Sequence, residues 1–142
     1  MIYIGNMREV RKGAFDQTWA IVRSFKSSSN WMTQVQTLSP SWDLFGKYQD
    51  LKKQGRWNND TFKSIYVPQF LNEMKAQAAR DKLNELYAAA NSQQRIALVC
   101  FCPDERLCHR SIVAGLLQGV GADVRIKSGA NYADYYRQFT VC

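Results

Sequence analysis

Short apolar runs bounded by polar turn residues mark the predicted strands of this chain. Residues 2–4 are β-branched or aromatic and are closed by a Gly-Asn turn, and residues 18–22 are apolar on both faces. Residues 96–101 form a continuous apolar run of strand length, whereas residues 122–126 alternate between apolar and polar positions. We therefore predict strands near both ends of the chain.

Helical spacing dominates the middle of the chain. Ser41 fits the N-cap position of a helix whose apolar positions recur until Gly55. A second helix is predicted to begin at Asn59, and Pro68 within it should kink or split it. Residues 76–90 are rich in Ala, Lys, Glu and Leu, which are strong helix formers, and predict a third helix.

The last third of the chain has the pattern of a strand, a polar turn and an apolar helix that ends near Gly119. A right-handed crossover to a parallel strand follows from this order, and residues 132–136 predict a short helix that docks on the sheet. The Ser-rich residues 27–30 predict a flexible surface loop. We expect residues 1–142 to form a single three-layer, Rossmann-like α/β domain with a short, mainly parallel sheet.

Length and composition agree with one globular domain. A chain of 142 residues that is 46% hydrophobic is too short for two ordinary domains and too apolar for the disordered class. No run approaches the roughly 20 apolar residues that span a bilayer, and the N-terminus lacks the features of a secretory signal. Three of the four cysteines crowd into residues 100–108, unlike a secreted disulfide framework. We expect a cytoplasmic protein with reduced thiols and no membrane association.

The charge favours anionic partners. A net charge of +7 suits nucleotides, nucleic acid or acidic proteins, although the basic residues are dispersed and also fit an ordinary solvated surface. Base stacking by tryptophans beside basic residues is an alternative to a role in the core, which we favour for large aromatic side chains. The residues concerned are Trp19, Trp31, Trp42 and Trp57, with Lys47, Lys52, Lys53 and Arg56 beside them.

The residues that can carry chemistry lie between the predicted strand at 96–101 and the helix that follows it. Cys100 lies near the carboxyl end of this strand, where ligands of α/β proteins collect, and Cys108, His109 and Arg110 open the helix. A helix N-terminus lowers the pKa of a thiol, and an arginine can bind a carboxylate or phosphate with two hydrogen bonds. We predict a pocket formed by these four residues that binds a small anionic ligand or nucleotide.

This pairing resembles the signature of domain-of-unknown-function family 488. The shared features are Leu98-Val99-Cys100 and the helical Cys108-His109-Arg110, together with the Ile-Tyr-Ile-Gly opening, residues 38–41 and the aromatic helix around Tyr66 and Phe70. Many members have Glu where this chain has Cys102, which leaves Asp104 or Glu105 as candidates for an acid. The resemblance implies the fold and a site around these residues, and it implies no particular reaction.

Four interpretations of residues 100–110 stay open. In the first, Cys100 or Cys108 is a nucleophile, His109 transfers a proton and Arg110 fixes an anionic substrate. In the second, three cysteines and His109 hold a structural zinc ion. Thiols at Cys100 and Cys102 on a strand would point to opposite faces, and adjacent residues on a helix lie about 100° apart. We therefore expect these ligands not to converge, and we expect no zinc and no other cofactor.

The third interpretation takes the spacing from Cys100 to Arg106 as that of a phosphate-cradling loop. Pro103 has no N–H to offer and two carboxylates in the loop repel phosphate, so we treat this spacing as a coincidence. In the fourth, the thiols fill the core while His109 and Arg110 brace the helix. We expect the site to bind or process a nucleotide, a nucleic-acid end or another small anion; the alternative is a noncatalytic basic protein that engages nucleic acid or an acidic host protein.

Overall fold

The computed structural model describes residues 1–23 and 31–141, and these contain a five-stranded sheet. The strands in chain order are β1 (Ile2–Asn6), β2 (Gln17–Ala20), β3 (Met32–Gln34), β4 (Ile96–Cys100) and β5 (Val124–Ile126). Their order across the sheet is β3-β2-β4-β1-β5, and every neighbouring pair runs parallel. The predicted α/β fold with a parallel sheet is confirmed.

The strands follow the apolar pattern closely, with two differences. All five residues of β4 are buried, as a continuous apolar run covered on both faces requires. β2 ends at Ala20, although Ile21 and Val22 stay buried beyond it. β3 was not predicted, because Thr33 and Gln34 at this edge are exposed and leave no apolar pattern. The loop predicted at residues 27–30 lies outside the described residues.

The helices are α1 (Trp42–Lys53), α2 (Asn59–Thr61), α3 (Val67–Glu73), α4 (Gln77–Ala90), α5 (His109–Gly119) and α6 (Asp134–Val141). Ser41 caps α1 as predicted, since its Oγ accepts a hydrogen bond from the Leu44 N–H at 3.2 Å. Gly55 follows the end of α1 with φ of +67°, a conformation that favours glycine. Among the described residues, no helix is long and apolar enough to cross a lipid bilayer.

A single π-helical turn, Phe62–Tyr66, separates α2 from α3. In this turn the N–H of Val67 donates to the carbonyl of Phe62, five residues earlier, instead of four. Pro68 follows at once and has no N–H, so the regular hydrogen-bond ladder cannot run through it. The helical turns nevertheless run without a break from Asn59 to Glu73, so Pro68 does not split the helix; the widened turn places Pro68 in the first turn of α3, where an N–H is not needed.

The C-terminal helix packs on α5 and not mainly on the sheet, which corrects the predicted docking. A Cβ added to Gly115 of α5 would lie 2.0 Å from the backbone oxygen of Tyr132, and one on Gly119 would lie 2.1 Å from Tyr136 Cβ. Glycine at these two positions therefore lets the segment around α6 approach α5 closely.

The connections that leave β1 and β4 run in opposite directions. From β1 the chain goes to β2, beyond β4, and from β4 it goes through α5 to β5, beyond β1. The adjacent carboxyl ends of β1 and β4 are therefore the switch point of this open sheet, where ligand sites of α/β proteins form. Asn6 and Cys100 are the last residues of the two strands and are paired in the sheet.

Candidate functional site

Four side chains with metal-binding or nucleophilic atoms converge at this switch point. Cys100 ends β4, Cys102 lies in the following turn, Cys108 is the N-cap residue of α5 and His109 is its first residue. The three sulfurs and a ring nitrogen of His109 lie within 4.8 Å of one another. We call these four residues the thiol cluster. The expectation that they do not converge is wrong.

The expectation fails because it applies regular strand and helix geometry to residues that lie outside β4 and α5. β4 ends at Cys100, so the alternation of faces along a strand does not reach Cys102. Cys108 has extended backbone angles, with φ of −131° and ψ of 145°, so it does not share helical geometry with His109. The turn and the helix start bring together side chains that a regular strand and helix would separate.

Direct contacts link three of the four members of the cluster. Cys100 Sγ lies 2.9 Å from Cys108 Sγ, which lies 3.7 Å from His109 Nδ1. On the other side of the imidazole ring, Nε2 lies 2.6 Å from the carbonyl oxygen of Ile21. Because a carbonyl only accepts hydrogen bonds, Nε2 carries a proton, and Nδ1 on the other side of the ring faces the thiols.

Arg110 contacts the Cys100 sulfur and donates hydrogen bonds to carbonyl groups of both β1 and β4. Its side chain is buried, and Nη1 donates to the Gly5 carbonyl at 3.2 Å and to the Cys100 carbonyl at 3.5 Å. The same nitrogen lies 3.5 Å from Cys100 Sγ, whereas Nε has no hydrogen-bond partner among the residues that the structure describes. Arg110 lines a separate cavity of about 320 Å³ near Asn6 and Lys127. The structure thus brings Arg110 to the Cys100 sulfur and not into the cavity beside the thiols.

The cluster concentrates negative charge on one sulfur. Hydrogen bonds from Cys102 and Cys108 hold the pKa of the Cys100 thiol well below its ordinary value, and nearby His109 and Arg110 act in the same direction against burial. Donation to Cys100 raises the pKa of Cys102 to about 12. Burial raises the pKa of Cys108 well above its ordinary value, and its hydrogen bond to Cys100 adds to this. Cys100 is therefore the sulfur of the cluster on which negative charge is best stabilised.

A cavity of about 310 Å³ opens in front of the cluster, whose four members all line it. Aromatic rings form much of the remaining wall, and they belong to Phe45, Tyr48, Trp57, Tyr66 and Phe101. Apart from the cluster, the ionisable groups in the wall with charge at neutral pH are Arg23 and Lys52, and no carboxylate of the described residues lines it. The cavity therefore combines flat apolar surfaces with positive charge.

The two cations lie on aromatic rings and carbonyl groups. Arg23 donates to the carbonyls of Pro40 and Gln36 at 3.0 and 3.2 Å, and its guanidinium lies 6.0 Å from the Trp42 ring. Lys52 Nζ lies 5.7 Å from the centre of the Tyr48 ring. Within residues 1–23 and 31–141, neither cation forms an ion pair with a carboxylate. Their charge is thus available to an anion in the cavity.

The tryptophans lie in different environments. Trp19 is buried, as the preference for a role in the core predicts, whereas Trp42 is 61% exposed. Trp57 packs against the core and lines the cavity, with its ring edge-on to Tyr48 at 4.6 Å and to Tyr66 at 5.4 Å. Trp57 is therefore the tryptophan best placed to contact a bound planar ligand.

The loop between β4 and α5 does not form a phosphate cradle. Arg106 has a side chain that is 78% exposed and pairs with Asp104 at 3.3 Å, so it does not join Cys100 at the cavity. This agrees with the view that the spacing from Cys100 to Arg106 is a coincidence. Neither Asp104 nor Glu105 lines the cavity, and Glu105 instead accepts a hydrogen bond from the Tyr132 hydroxyl at 2.7 Å.

Sequence reasoning missed Arg23 and most of the aromatic wall as parts of the site. Of the aromatic side chains in the wall, only Trp57 was named, beside Lys52, as a base-stacking alternative to a role in the core. Arg23 follows β2, which neighbours β4 in the sheet, so the rule that ligands collect at carboxyl ends of strands would have pointed to it. Tyr66 and Trp57 belong to helices and a loop whose position over β4 depends on tertiary packing. No pattern in the local sequence marks them as facing a cavity.

The open parallel sheet with helices defines the class, a Rossmann-like α/β protein, and three cysteines, a histidine and an aromatic cavity lie at the switch point of its sheet. The chain belongs to the DUF488 family, because the family model DUF488-N3a, described as the active DUF488-N3 subclade, matches residues 7–121. The match includes Cys100 and residues 108–110, so the resemblance noted from the sequence is confirmed. Comparisons with curated proteins and with solved structures gave no match.

Proposed function

We propose that the protein binds a nucleotide or another small organic anion in the aromatic cavity and acts on it with the Cys100 sulfur as nucleophile. One observation carries this proposal: the thiol cluster forms the floor of a cavity with aromatic walls, and Arg23 and Lys52 are the charged groups of its rim. We further propose that residues 1–142 work as one domain in the cytoplasm, where thiols stay reduced.

The wall of the cavity supports binding of a planar anionic ligand. A volume of about 310 Å³ is at the lower end of the range for small-molecule sites, roughly 300–1,000 Å³. Rings such as Trp57 offer stacking surfaces, which contribute about 1–3 kcal/mol per base in nucleic-acid complexes. A phosphate or carboxylate group is attracted to Arg23 and Lys52, which have no carboxylate partner in the described part of the chain.

The contacts of the cluster support a nucleophilic role for Cys100. Arg110 stabilises negative charge on its sulfur, from which Nη1 lies 3.5 Å away. His109 reaches Cys108 and not Cys100 directly, so proton transfer between Cys100 and the imidazole would pass through the Cys108 thiol. In this arrangement Arg110 holds the nucleophile, whereas the cations at the rim hold the ligand.

Ligand protection tests the proposal on reduced, chelator-treated protein. Iodoacetamide should modify Cys100, and adenosine monophosphate or inorganic phosphate should slow the reaction in the wild type. A ligand at a hundredfold excess over its Kd should also raise the free energy of unfolding by about 2.7 kcal/mol. Lys52→Met should weaken both effects, because it removes a charge at the rim.

Lys53→Met is the matched control, since Lys53 is the adjacent exposed lysine of α1 and does not line the cavity. It should leave protection and stabilisation as in the wild type. Equal behaviour of the Lys52 and Lys53 variants, or no protection by any anion, would contradict the proposal. Salt-dependent binding of long nucleic acid without protection of Cys100 would instead favour the noncatalytic basic protein.

A further inference from the structure

The donor set of the thiol cluster matches a metal site of the zinc type. Three cysteine sulfurs and one imidazole nitrogen lie within 4.8 Å of one another. Cys₃His is a common ligand set of zinc, with Zn–S bonds of about 2.3 Å and Zn–N bonds of about 2.0–2.1 Å. We propose that the cluster binds one Zn²⁺, or a similar soft divalent cation, through the sulfurs of Cys100, Cys102 and Cys108 and Nδ1 of His109.

The observed separations need little change to accept the ion. Tetrahedral bonds of these lengths place neighbouring ligand atoms about 3.5–3.8 Å apart. Cys108 Sγ and His109 Nδ1 already lie 3.7 Å apart. Cys100 Sγ and Cys108 Sγ, at 2.9 Å, would separate by less than about 1 Å. Cys102 belongs to a turn outside the regular elements, so its side chain can adjust without moving the sheet.

The imidazole is held as a metal ligand requires. Metal-binding histidines almost always donate their other ring N–H to a carboxylate, carbonyl or water, which fixes the tautomer and the ring orientation. His109 does this through Nε2, which lies 2.6 Å from the Ile21 carbonyl, and its ring packs against Phe70 at 5.7 Å. Nδ1 therefore points at the sulfurs in a fixed orientation.

The charge of the site also balances. A divalent ion with three thiolates and a neutral imidazole carries a net charge of about −1. Arg110, which is buried and forms no carboxylate ion pair within the described ranges, has Nη1 at 3.5 Å from Cys100 Sγ. Its guanidinium supplies the compensating positive charge and an N–H to a ligand sulfur. A buried arginine without an acidic partner is thus explained by the metal-bound cluster.

The surroundings favour a soft cation and give it a path. No carboxylate among the described residues lines the cavity, whereas Mg²⁺ and Ca²⁺ require oxygen ligands. The cavity reaches all four ligands, and Cys102 is partly exposed, so an ion can enter from solvent. A bound ion holds the Cys100 thiolate as a ligand, so metal binding and nucleophilic attack exclude each other and the metal would block the proposed reaction reversibly.

Cobalt titration tests the proposal on the full chain in its reduced, chelator-treated form. Co²⁺ added to the wild type should bind with a stoichiometry of one per chain and produce thiolate-to-cobalt charge-transfer absorption with the visible bands of a tetrahedral site. Cys102→Ser should lower the affinity for Co²⁺ by at least about tenfold and weaken the charge-transfer absorption. Zn²⁺ should displace Co²⁺ and protect Cys100 and Cys108 from iodoacetamide.

Asp104→Asn is the matched control, because Asp104 lies in the same turn and does not line the cavity; it should bind Co²⁺ like the wild type. Absence of charge-transfer absorption in the wild type, or equal affinity in Cys102→Ser, would overturn the metal site. Failure of Co²⁺ binding while adenosine monophosphate still protects Cys100 would leave the proposed function intact. Co²⁺ binding without any anion protection would reject the proposed function alone.

Discussion

Replacing Arg110 with Met removes a buried positive charge while it keeps an unbranched side chain of comparable length. Arg110 is 4% exposed, and its Nη1 donates to the Gly5 carbonyl at 3.2 Å and lies 3.5 Å from Cys100 Sγ. The carbonyl of Cys100 keeps a second donor, since the Met7 N–H lies 2.9 Å from it. The main cost is therefore the loss of hydrogen bonds from a charged donor and of the charge beside Cys100.

Hydrogen bonds to charged groups contribute about 1.5–3 kcal/mol. Apolar burial of Met recovers part of the loss, so we expect the free energy of unfolding to fall by about 2–3 kcal/mol. With a urea m-value of about 2 kcal/mol per molar, the midpoint should fall by about 1–1.5 M. From sequence alone, Arg110 has the role of fixing an anionic substrate, and a side chain that lines a pocket for this purpose should tolerate truncation within about 0.5 kcal/mol. The burial of Arg110 predicts the larger cost instead.

Urea unfolding of reduced, metal-free protein, followed by tryptophan fluorescence, measures this effect. Arg106→Met is the matched control, because the Arg106 side chain is 78% exposed and its pairing with Asp104 lies at the surface. That control should change stability by less than about 0.5 kcal/mol. Arg110→Lys keeps the charge and should fall between the two. Equal midpoints for Arg110→Met and Arg106→Met would refute the reasoning.

Three further predictions concern packing, titration and capping. Gly115→Ala should cost about 1–3 kcal/mol in urea unfolding because its Cβ meets a backbone oxygen, whereas Gly46→Ala in open space should gain about 0.5–1 kcal/mol. Iodoacetamide should modify Cys100 below about pH 8.5 and Cys102 only well above it, and equal pH profiles would contradict the lowered pKa. Because the pKa of Cys100 is lower in the folded state, the thiol should stabilise the wild type above about pH 8.5. The difference in free energy of unfolding between the wild type and Cys100→Ser should therefore shrink as the pH falls from about 8.5 through the folded pKa. Ser41→Ala should cost about 1 kcal/mol in the same assay.

The parts of the fold that were predicted are those in which side-chain pattern and structure coincide. β4 and α5 follow from a continuous apolar run and from helical spacing because both are buried by the surrounding layers. β3 escaped prediction because it is held at the sheet edge by backbone pairing with β2, which needs no apolar pattern. Pro68 predicts a kink or a split in the helix from Asn59, since proline removes an N–H, and the chain accommodates it with a widened turn and no break.

The same holds for the candidate site: residues marked by a local sequence pattern were predicted, and residues brought in by tertiary packing were not. Cys100 and His109 were identified because they are close in sequence and flank a strand end and a helix start. Their convergence with Cys102 was missed because it depends on the path of an irregular turn. Arg23 and Trp57 reach the cavity from other segments, and no local period tells which segments meet across a sheet edge. Local sequence was therefore enough to identify Cys100 and His109, whereas Arg23 and Trp57 could be assigned to the cavity only once the tertiary structure was known.

The widened turn between α2 and α3 should make this part of the chain more tolerant of the loss of one residue than a regular helix is. Phe62 stacks on Tyr66 at 5.4 Å and Tyr66 on Phe70 at 6.1 Å, although each step in a regular α-helix of 3.6 residues per turn would rotate the next ring by about 40°. The wider turn contains more residues per turn and offsets this drift, so the rings stay in one column that ends at His109. Exchange of one ring for another would keep the column in register. Deletion of a single residue between Phe62 and Tyr66 would return this turn to the regular α-helical hydrogen-bond pattern and nearly keep the phase of the turns on either side, whereas the same deletion in a regular helix rotates the residues before it by about 100° relative to those after it.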